Sequence, residues 1–396
     1  MRKSDAAKAG RNGAGGLTLG QATAVVFAVT FLSFALSPRV QAQGGQNPGA
    51  VFLEIWPAAR PTALAGAFAA TADDPSATYY NQGGLGFMTG NHATLMHCNW
   101  LPGLYPGMYY EFGGFTHQFP NKGTLGVSAI YLTTGKTDVI DMNGNNLGSY
   151  TTFDFSTMAS YGFQMTPQIG AGVGVKFIYS FLVPDWVFKA MPELGIDNGG
   201  SGTTWAVDAG ALYKPSSRLS VGLSVANLGP NIAYTSSGES DPLPRTLRLG
   251  LRYSPVHNDL VRVSVLPEVT QILVGMFYDP ENKKTLGQEI RYEFDESWKH
   301  FGVEACYYNF LFARVGYFED ITGARGGIVV DRGDGLTDHI SLIKFLTTKN
   351  PGTFKSLGLT YGGGLQWGGF NFDISFDNMI YDFPTNNMKL SFSYRF

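Results

Sequence analysis

The end of the chain alternates strictly between apolar and polar residues. The apolar positions stand two apart and run to the last residue: Met388, Leu390, Phe392, Tyr394 and Phe396. Because successive side chains of a strand point to opposite faces, this pattern predicts a strand with one apolar and one polar face. Something apolar must cover the first face, either a protein core or lipid.

The same alternation recurs along the chain, in RLSVGLSVANL (218–228), TLRLGLRY (246–253), LVRVSV (260–265) and FNFDISFD (370–377). The polar side of these strands and of the last one carries small residues and charges, among them Arg248, Arg252, Arg262, Asp373, Asp377 and Arg395. A dry core does not accept such charges, whereas the wet lumen of a membrane barrel does. An antiparallel sheet with one solvated face also alternates and is the alternative.

Segments rich in Gly, Asn, Asp, Ser and Pro separate the strands, as at 141–149, 195–202, 236–244, 331–335 and 347–352. With ~10 residues per strand plus turns, residues 92–396 give on the order of 14 strands, an even number as in bacterial barrels. We therefore predict an all-β fold, a transmembrane antiparallel β-barrel formed by residues 92–396.

Composition agrees with a barrel without proving it. Charged residues make up 15 % of the chain, aromatic residues 14 %, and there are 51 glycines. The mean hydropathy is −0.03, which argues against a helical membrane protein. A large soluble β-sandwich has a similar composition. The net charge of −3 and the scattered Lys and Arg residues give no indication of nucleic-acid binding.

Residues 1–42 are typical of a secretory signal peptide. A basic start with Arg2 and Lys3 precedes an uncharged stretch at 22–36, and Val40-Gln41-Ala42 is a small-residue cleavage site. An uncleaved anchor is the alternative. Export and the apolar C-terminal strand together favour lipid as the cover, and hence an integral protein of the bacterial outer membrane.

Residues 43–91 lack the alternation of a strand. The alanine-rich part, Ala58 to Ala72, predicts a short helix, and the following ADDPS and NQGGLG predict loops. A Gly- and Ala-rich segment ahead of the first strand could fold into the lumen as a small N-terminal plug, which is the interpretation we prefer. A loose periplasmic leader is the alternative.

Several segments together resemble the PorV/PorQ family of outer-membrane proteins, which are similar to FadL-type barrels. They are ARPTALAGAFAATADDPSATYYNQGGLGFM, GAGVGVKFIYS, WAVDAGALYKP, VGLSVANLGPNIAY with DPLPRTLRLGLRYSP, GVEACYYNFLFARVGYFED and the terminal LSFSYRF. The resemblance covers nearly all of the predicted mature chain and leaves the PorV and PorQ branches open. It implies a FadL-like barrel of about 14 strands.

The resemblance also implies a function in type IX protein secretion. Such a barrel sits beside the translocon barrel, binds the C-terminal domain of secreted cargo proteins, and carries them to an attachment complex with a PorU-like sortase. The last strand resembles the signal read by the barrel-assembly machinery, with Phe392, Tyr394 and Phe396 as its apolar residues. The alternative is a FadL-like transporter of hydrophobic small molecules. Its plug or gate candidates are Asp73, Asp74, Asn81, Gly83, Gly84 and Leu85.

Signals for an enzyme or a cofactor are weak. The six histidines lack metal-ligand spacing, and there is no G-x-S-x-G elbow or P-loop. We therefore expect no catalysis, no cofactor and no metal, although a triad assembled from separate strands remains an alternative. Asp331, Asp334 and Asp338 could hold Ca²⁺ in one loop, but a solvated turn is preferred.

Three further expectations concern single features of the chain. Cys98 and Cys306 could form a disulfide in an oxidising compartment, though nothing in the sequence brings them together. The inward charges, which include Arg314, could line an open pore, but pairing across a filled lumen is preferred. The apolar loop tip Trp186, Val187 and Phe188 could contact a partner or dip into the outer leaflet.

Overall fold

The computed structural model describes residues 48–191, 198–235, 240–274, 285–333, 336–378 and 386–396. The predicted signal peptide, residues 1–42, and the first residues of the predicted plug lie outside the described residues. The described chain is mostly β-strand, as the alternating pattern predicts, with a few short helices.

The strands follow one another along the chain with short helices between some of them. They are β1 Asn91–Asn99, β2 Tyr109–Phe119, β3 Gly123–Ile140, β4 Asn146–Thr166, β5 Ile169–Phe181, β6 Ser201–Ser216, β7 Leu219–Leu228, β8 Thr246–His257, β9 Val261–Ile272, β10 Trp298–Tyr307, β11 Leu311–Asp320, β12 Arg325–Gly326, β13 Ile328–Asp331, β14 Thr337–Ile340, β15 Thr353–Leu357, β16 Leu359–Trp367, β17 Phe370–Asn378 and β18 Asn386–Arg395.

The helices are short. The α-helices are α1 Ala59–Ala63, α2 Ala77–Tyr80, α3 Asp185–Ala190, α4 Leu286–Glu296 and α5 Leu342–Thr347, and two 3₁₀ helices span Val51–Glu54 and Gln82–Phe87. No helix among the described residues has both the length and the apolar composition needed to span a membrane.

Fourteen strands form a closed antiparallel barrel, which confirms the predicted fold class. Each of β1 to β11 pairs with its neighbours in the chain, β11 then pairs with β16, and β18 pairs with β1 to close the ring. The register at the closure places Leu95 opposite Phe392 and His92 opposite Arg395. The last strand of the sequence is therefore the closing strand.

The two faces of the wall have the polarity that the sequence predicts. On β18, Lys389 and Ser391 are buried, while the next apolar residue, Phe392, is exposed. On β17, Asp373 and Asp377 are buried, whereas Phe372, the residue next to Asp373, is exposed. On these two strands the large apolar side chains face outwards and the charged ones face inwards, which is the opposite of a water-soluble protein and is typical of a barrel in lipid.

Aromatic side chains line both rims of the apolar outer surface. One row contains Tyr109, Tyr131, Phe153 and Phe181, and the other contains Phe115, Phe370, Tyr394 and Phe396. In the second row, the rings of Phe370 and Tyr394 stack with centroids 4.4 Å apart. Such rows mark the two membrane–water interfaces.

The two ends of the barrel differ in the length of their connections. At the end that holds Asn91 and Phe396 the turns are short, as at 167–168, 217–218 and 368–369. The opposite end carries the long connections, including residues 321–358 between β11 and β16, here named the insert. Outer-membrane barrels have short periplasmic turns and longer extracellular loops, so the insert is extracellular.

Candidate functional site

The described N-terminal segment, residues 48–90, packs against inward side chains from separate parts of the wall. The Ala59 N–H donates to Ser391 Oγ on β18 (2.8 Å), and the Ala69 N–H donates to Glu268 Oε2 on β9 (2.8 Å). Most side chains between Phe52 and Leu85 are buried. The segment therefore lies within the ring of strands, and its action as a plug remains a prediction.

The helix predicted for Ala58 to Ala72 is much shorter in the structure, where α1 ends at Ala63. Ala65 and Gly66 both have positive φ, which ends the helix in the left-handed conformation. The rest of the stretch forms turns whose backbone groups bond to the wall. One example is the Ala65 N–H, which donates to Thr360 Oγ1 (2.9 Å).

Inward glycines of the wall allow this backbone to approach closely. A Cβ on Gly222 would lie 2.0 Å from the carbonyl oxygen of Ala69, and a Cβ on Gly316 would lie 2.4 Å from the nitrogen of Ala65. Real Cβ atoms do not come so near to backbone atoms. The small residues on the inner face are thus the places where the N-terminal segment contacts the strands.

A chain of ion pairs, buried except at its Asp73 end, connects the N-terminal segment to three strands. Arg60 binds Asp73 of its own segment (Nη1–Oδ1 2.6 Å) and Glu304 of β10 (Nε–Oε2 3.1 Å). Glu304 binds Arg314 of β11 (2.8 Å), which in turn binds Asp373 of β17 (2.6 Å). This ion-pair chain holds the predicted gate residue Asp73 against the wall.

The second predicted acidic residue, Asp74, has a different environment. Its carboxylate accepts the Ser76 N–H (2.8 Å) and lies 3.9 Å from Arg60. Burial raises the pKa of Asp74 to about 6, although Arg60 acts in the opposite direction. For Asp73, burial is again the largest influence and raises the pKa, but the charge and hydrogen bond of Arg60, together with the charge of Lys214, leave the pKa below its usual value. The two adjacent carboxyl groups thus differ in proton affinity.

The predicted loop Asn81 to Leu85 lies deep in the N-terminal segment. The Asn81 side chain accepts the Gly83 N–H (2.9 Å) and donates to the carbonyl oxygens of Ala69 (2.8 Å) and Ala211 (3.0 Å). A Cβ on Gly84 would lie 1.9 Å from the Ala72 oxygen, so this position requires glycine. The structure therefore brings all six predicted plug or gate candidates together inside the barrel.

Several other inward charges are paired as well, whereas Arg252 bonds to the Ser217 carbonyl oxygen and the Ser254 hydroxyl. Lys176 pairs with Asp208 (3.0 Å) and Arg248 with Glu268 (3.6 Å). Lys389 pairs with Asp377 (3.1 Å) and also donates to the carbonyl oxygen of Trp56 in the N-terminal segment (2.9 Å). Sequence patterning identified the inward acids and bases separately but not their partners, because pairing depends on strand register.

The predicted exposure of Trp186, Val187 and Phe188 at a loop tip holds for one of the three residues. In α3, Val187 and Phe188 are buried, and only Trp186 is exposed. The Trp186 ring lies edge-on to Tyr150, with centroids 6.3 Å apart. The helix turns its apolar side towards the barrel, a direction that a run of three apolar letters does not specify.

The insert is a functional candidate that sequence reasoning missed. Strands β13, β14 and β15 form a separate three-stranded sheet, and β13 is its middle strand. Ile328, Val330 and Ile340 form its small core, with Phe345 of α5 packed against them. Ser341, whose side chain accepts the Lys344 N–H, was the available signal for the helix start.

The possible calcium loop lies in this insert. Asp331 pairs with Lys355 (3.0 Å), and Asp338 pairs with Arg332. Asp334 lies outside the described residues. No group of three or more His, Cys, Asp or Glu residues with metal-binding geometry occurs in the part of the chain that the structure describes. Cys98 and Cys306 are both buried free thiols, so the disulfide considered from the sequence does not form.

A groove crosses the outer wall at the closure of the barrel. It has a volume of about 400 Å³ and is lined by residues of β1, β2, β17 and β18, including Leu95, Gly113 and Phe392. At its edge, His97 and Glu111 face each other across β1 and β2, with Nδ1 and Oε1 2.6 Å apart. A polar pair and a glycine notch interrupt the apolar surface at this place.

The fold and this interior define an integral outer-membrane β-barrel that contains its own N-terminal segment. Residues 41–279 match the family model described as Type IX secretion system protein PorV, and the match spans more than half of the chain. The chain belongs to the PorV family of type IX secretion system proteins. This is a family of secretion barrels and not a class of enzymes.

Comparison with solved structures gives distant relatives by shape. The toluene transporter TbuX of Ralstonia pickettii is 14 % identical, with a TM-score of 0.46, over 85 % of this chain and 97 % of that one. A FadL homologue of Pseudomonas aeruginosa is 13 % identical, with a TM-score of 0.44, over 85 % and 98 % of the two chains. No curated protein matched the chain.

Proposed function

We propose that this barrel binds secreted cargo proteins of the type IX system through their C-terminal domain and carries them from the translocon barrel to the attachment complex, where a PorU-like sortase processes them. The observation that supports this proposal best is the contact between the N-terminal segment and the inner wall. Ser391, Glu268 and Lys389 all bond to backbone groups of that segment.

We further propose that residues 43–91 act as a plug. Groups that would line a conducting path are instead engaged in the ion-pair chain and in bonds to the segment, as for Arg60 and Glu304. With the N-terminal segment in the lumen, the surfaces left for binding partner proteins are the extracellular elements and the outer wall. The apolar part of the inner face, which includes Tyr110, Ile178 and Phe318, is already covered by the N-terminal segment, and this disfavours the transporter alternative.

Extracellular strands and loops are the proposed cargo surface. Within the insert, β14 and β15 each pair with β13 and with no other described strand, so each leaves a free edge. A free edge can add a strand from a cargo β-domain. Trp186 is the second contact candidate because its ring is exposed on another extracellular connection, between β5 and β6, where the adjacent Val187 and Phe188 are buried.

The outer-wall groove beside His97 and Glu111 is the surface we propose for the translocon barrel. A partner in the membrane can fill the notch at Gly113 and meet the polar pair, which lipid chains do not satisfy. A photo-crosslinker placed at Leu95 should then link the protein to a much larger barrel in native membranes. The same crosslinker at Leu249, which also faces outwards, is the control, and equal yields at both positions would reject this surface.

The deciding experiment is a pull-down of the tagged protein from its own outer membrane in mild detergent, with mass spectrometry of the captured material. Secreted proteins that share a C-terminal β-domain, or a very large barrel, support the carrier function. Recovery of lipids or small hydrophobic molecules alone would favour the transporter.

Cargo recovery can be assigned to a surface with two matched variants. Trp186→Ala removes an exposed aromatic side chain, the type of residue that often dominates an interface, and should reduce cargo recovery by about tenfold. Met142→Ala alters a side chain that is exposed on a different extracellular connection and should leave recovery unchanged. Equal recovery with both variants would remove Trp186 from the proposed surface.

A further inference from the structure

The extracellular helix α5 begins against the outside of the barrel wall. Its first N–H, from Leu342, donates to Glu319 Oε2 (3.0 Å), and the Tyr317 hydroxyl donates to the same oxygen (2.7 Å). Phe318, between Tyr317 and Glu319, points inwards and packs edge-on against Trp56 of the N-terminal segment at 5.0 Å. Tyr317 and Glu319 therefore point outwards, because side chains alternate along a strand.

The position of this contact relative to the bilayer follows from the register. Tyr317 pairs with Phe301, whose outward ring belongs to the exposed apolar surface, and Glu319 pairs with Lys299. The start of α5 thus lies one side-chain step, about 7 Å along the strand, beyond the apolar surface. Glu319 is buried although it faces outwards, which means that the insert covers it there.

The free side of α5 is apolar. Leu342, Ile343 and Leu346 are exposed, whereas Phe345 on the other side packs against the small core of the insert. Leu346 stands four residues after Leu342 and three after Ile343, the spacings at which helical side chains are neighbours, so these three side chains form a single apolar surface. Lys344, on the opposite side of the helix, and Lys349, beyond its last residue, are also exposed.

A second helix reaches the same place. The Lys299 ammonium lies 5.1 Å from the centre of the Phe294 ring, near the end of α4, and 3.9 Å from Glu319. The Phe294 ring is exposed. Phe294 and Leu342, the first residue of α5, therefore flank Lys299 and Glu319, one side-chain step beyond the outward ring of Phe301.

We propose that Phe294, Leu342, Ile343 and Leu346 form an outer-leaflet foot, which rests in the lipid at the extracellular interface of the membrane. The occupant is lipid because this apolar face continues the lipid-facing surface of the barrel, which begins at Phe301. A helix with an apolar face towards the lipid and a charged residue, Lys344, on its opposite side suits this depth. The foot would fix the insert, and with it the free edges of β14 and β15, close to the membrane.

Depth-dependent quenching tests the foot. Leu346→Cys labelled with an environment-sensitive NBD fluorophore would be reconstituted, as the full mature chain, in phosphatidylcholine nanodiscs that contain a doxyl group high on the acyl chain. Native Cys98 and Cys306 are buried, and the unsubstituted protein measures their background labelling. Met142→Cys, on an exposed extracellular turn, is the matched control.

We expect the doxyl lipid to reduce fluorescence at position 346 at least about twofold, as for an interfacial apolar side chain, with no loss at position 142. Iodide in the water should quench the two positions in the reverse order. Ile343→Cys repeats the measurement on the same face. Quenching of positions 346 and 343 by iodide but not by doxyl lipid would overturn the proposal and leave this face to a protein partner. No cargo is present, so the result does not depend on the carrier function.

Discussion

Lys389 and Leu390 are neighbours in the last strand, yet they lie in opposite environments. Lys389 is fully buried and bonds to Asp377 and to the Trp56 carbonyl oxygen, while Leu390 faces outwards beside Phe372 and Phe392. The inner face depends on specific polar partners, and the outer face depends only on being apolar. We therefore expect substitutions on the inner face to act through lost partners and those on the outer face through polarity.

The largest effect should come from removing a buried cation. Lys389→Met leaves Asp377 without its cation and deprives Trp56 of a donor, and both Lys389 and Asp377 have no exposed surface. Breaking a buried pair on one side destabilises a protein by about 3–5 kcal/mol. Urea unfolding in detergent micelles, followed by tryptophan fluorescence, measures the loss.

Two variants show whether the missing partner is the cause. Adding Asp377→Leu to Lys389→Met removes the orphaned carboxylate and should restore much of the free energy of unfolding. Lys136→Met breaks the exposed pair with Asp138 and should change it by less than about 1 kcal/mol. A double variant that unfolds as easily as Lys389→Met would show that the pairing is not what matters.

On the outer face, a new charge should lower the free energy of unfolding almost as much as the loss of an ion-pair partner does on the inner face. Phe372 faces lipid between the aromatic rows at the two rims, and Phe372→Arg should lower the free energy of unfolding in lipid vesicles by about 2–4 kcal/mol. Phe372→Leu stays apolar and should change it by less than about 1.5 kcal/mol. If both variants have the same stability, this face is not in lipid.

The two faces also differ in how far the sequence predicts them. The period of two identifies which residues of β17 and β18 face inwards, because it depends only on the geometry of a strand. The partners of Arg60, on the other hand, come from positions 73 and 304, and no local rule connects these. The sequence does not predict the proposed outer-leaflet foot, because α5 is short and its apolar residues resemble those of a small core.

The N-terminal segment was predictable from the sequence only in part. Its lack of alternation predicts that residues 43–91 stand apart from the strands; among the described residues, 48–90 precede β1, which begins at Asn91. The run of small residues favoured close packing. The short α1 was not predicted, since Ala65 adopts a positive φ that alanine rarely adopts on its own. Contacts with the wall, such as the bond from the Ala65 N–H to Thr360, override the local helix propensity of alanine there.

Adding a single methyl group at a glycine should also distinguish the inner from the outer face, with a smaller effect on the free energy of unfolding. In Gly222→Ala the new Cβ meets the backbone of Ala69, whereas in Gly113→Ala, on the outer face, the nearest neighbour is a Leu95 methyl at 3.6 Å. We expect a loss of about 1–3 kcal/mol for Gly222→Ala and little change for Gly113→Ala. Chymotrypsin cleavage after Phe68, which is fully buried, reports on displacement of the segment. Equal protection from chymotrypsin in both variants would contradict this close packing.

The smallest effect we predict depends on pH. Because the pKa of Asp74 is raised to about 6, its stabilising protonated form is fully present below about pH 4 and is lost as the pH rises through 6. Asp74→Asn should therefore stabilise the protein by about 1–2 kcal/mol at pH 8, after allowance for the 19 % exposure of this side chain, and by almost nothing at pH 4. The neighbouring Asp73→Asn should have the opposite sign at pH 8, since Arg60 keeps the pKa of Asp73 low. Urea midpoints at the two pH values decide the matter, and a gain for Asp74→Asn that is independent of pH would show that the substitution acts through packing instead of charge.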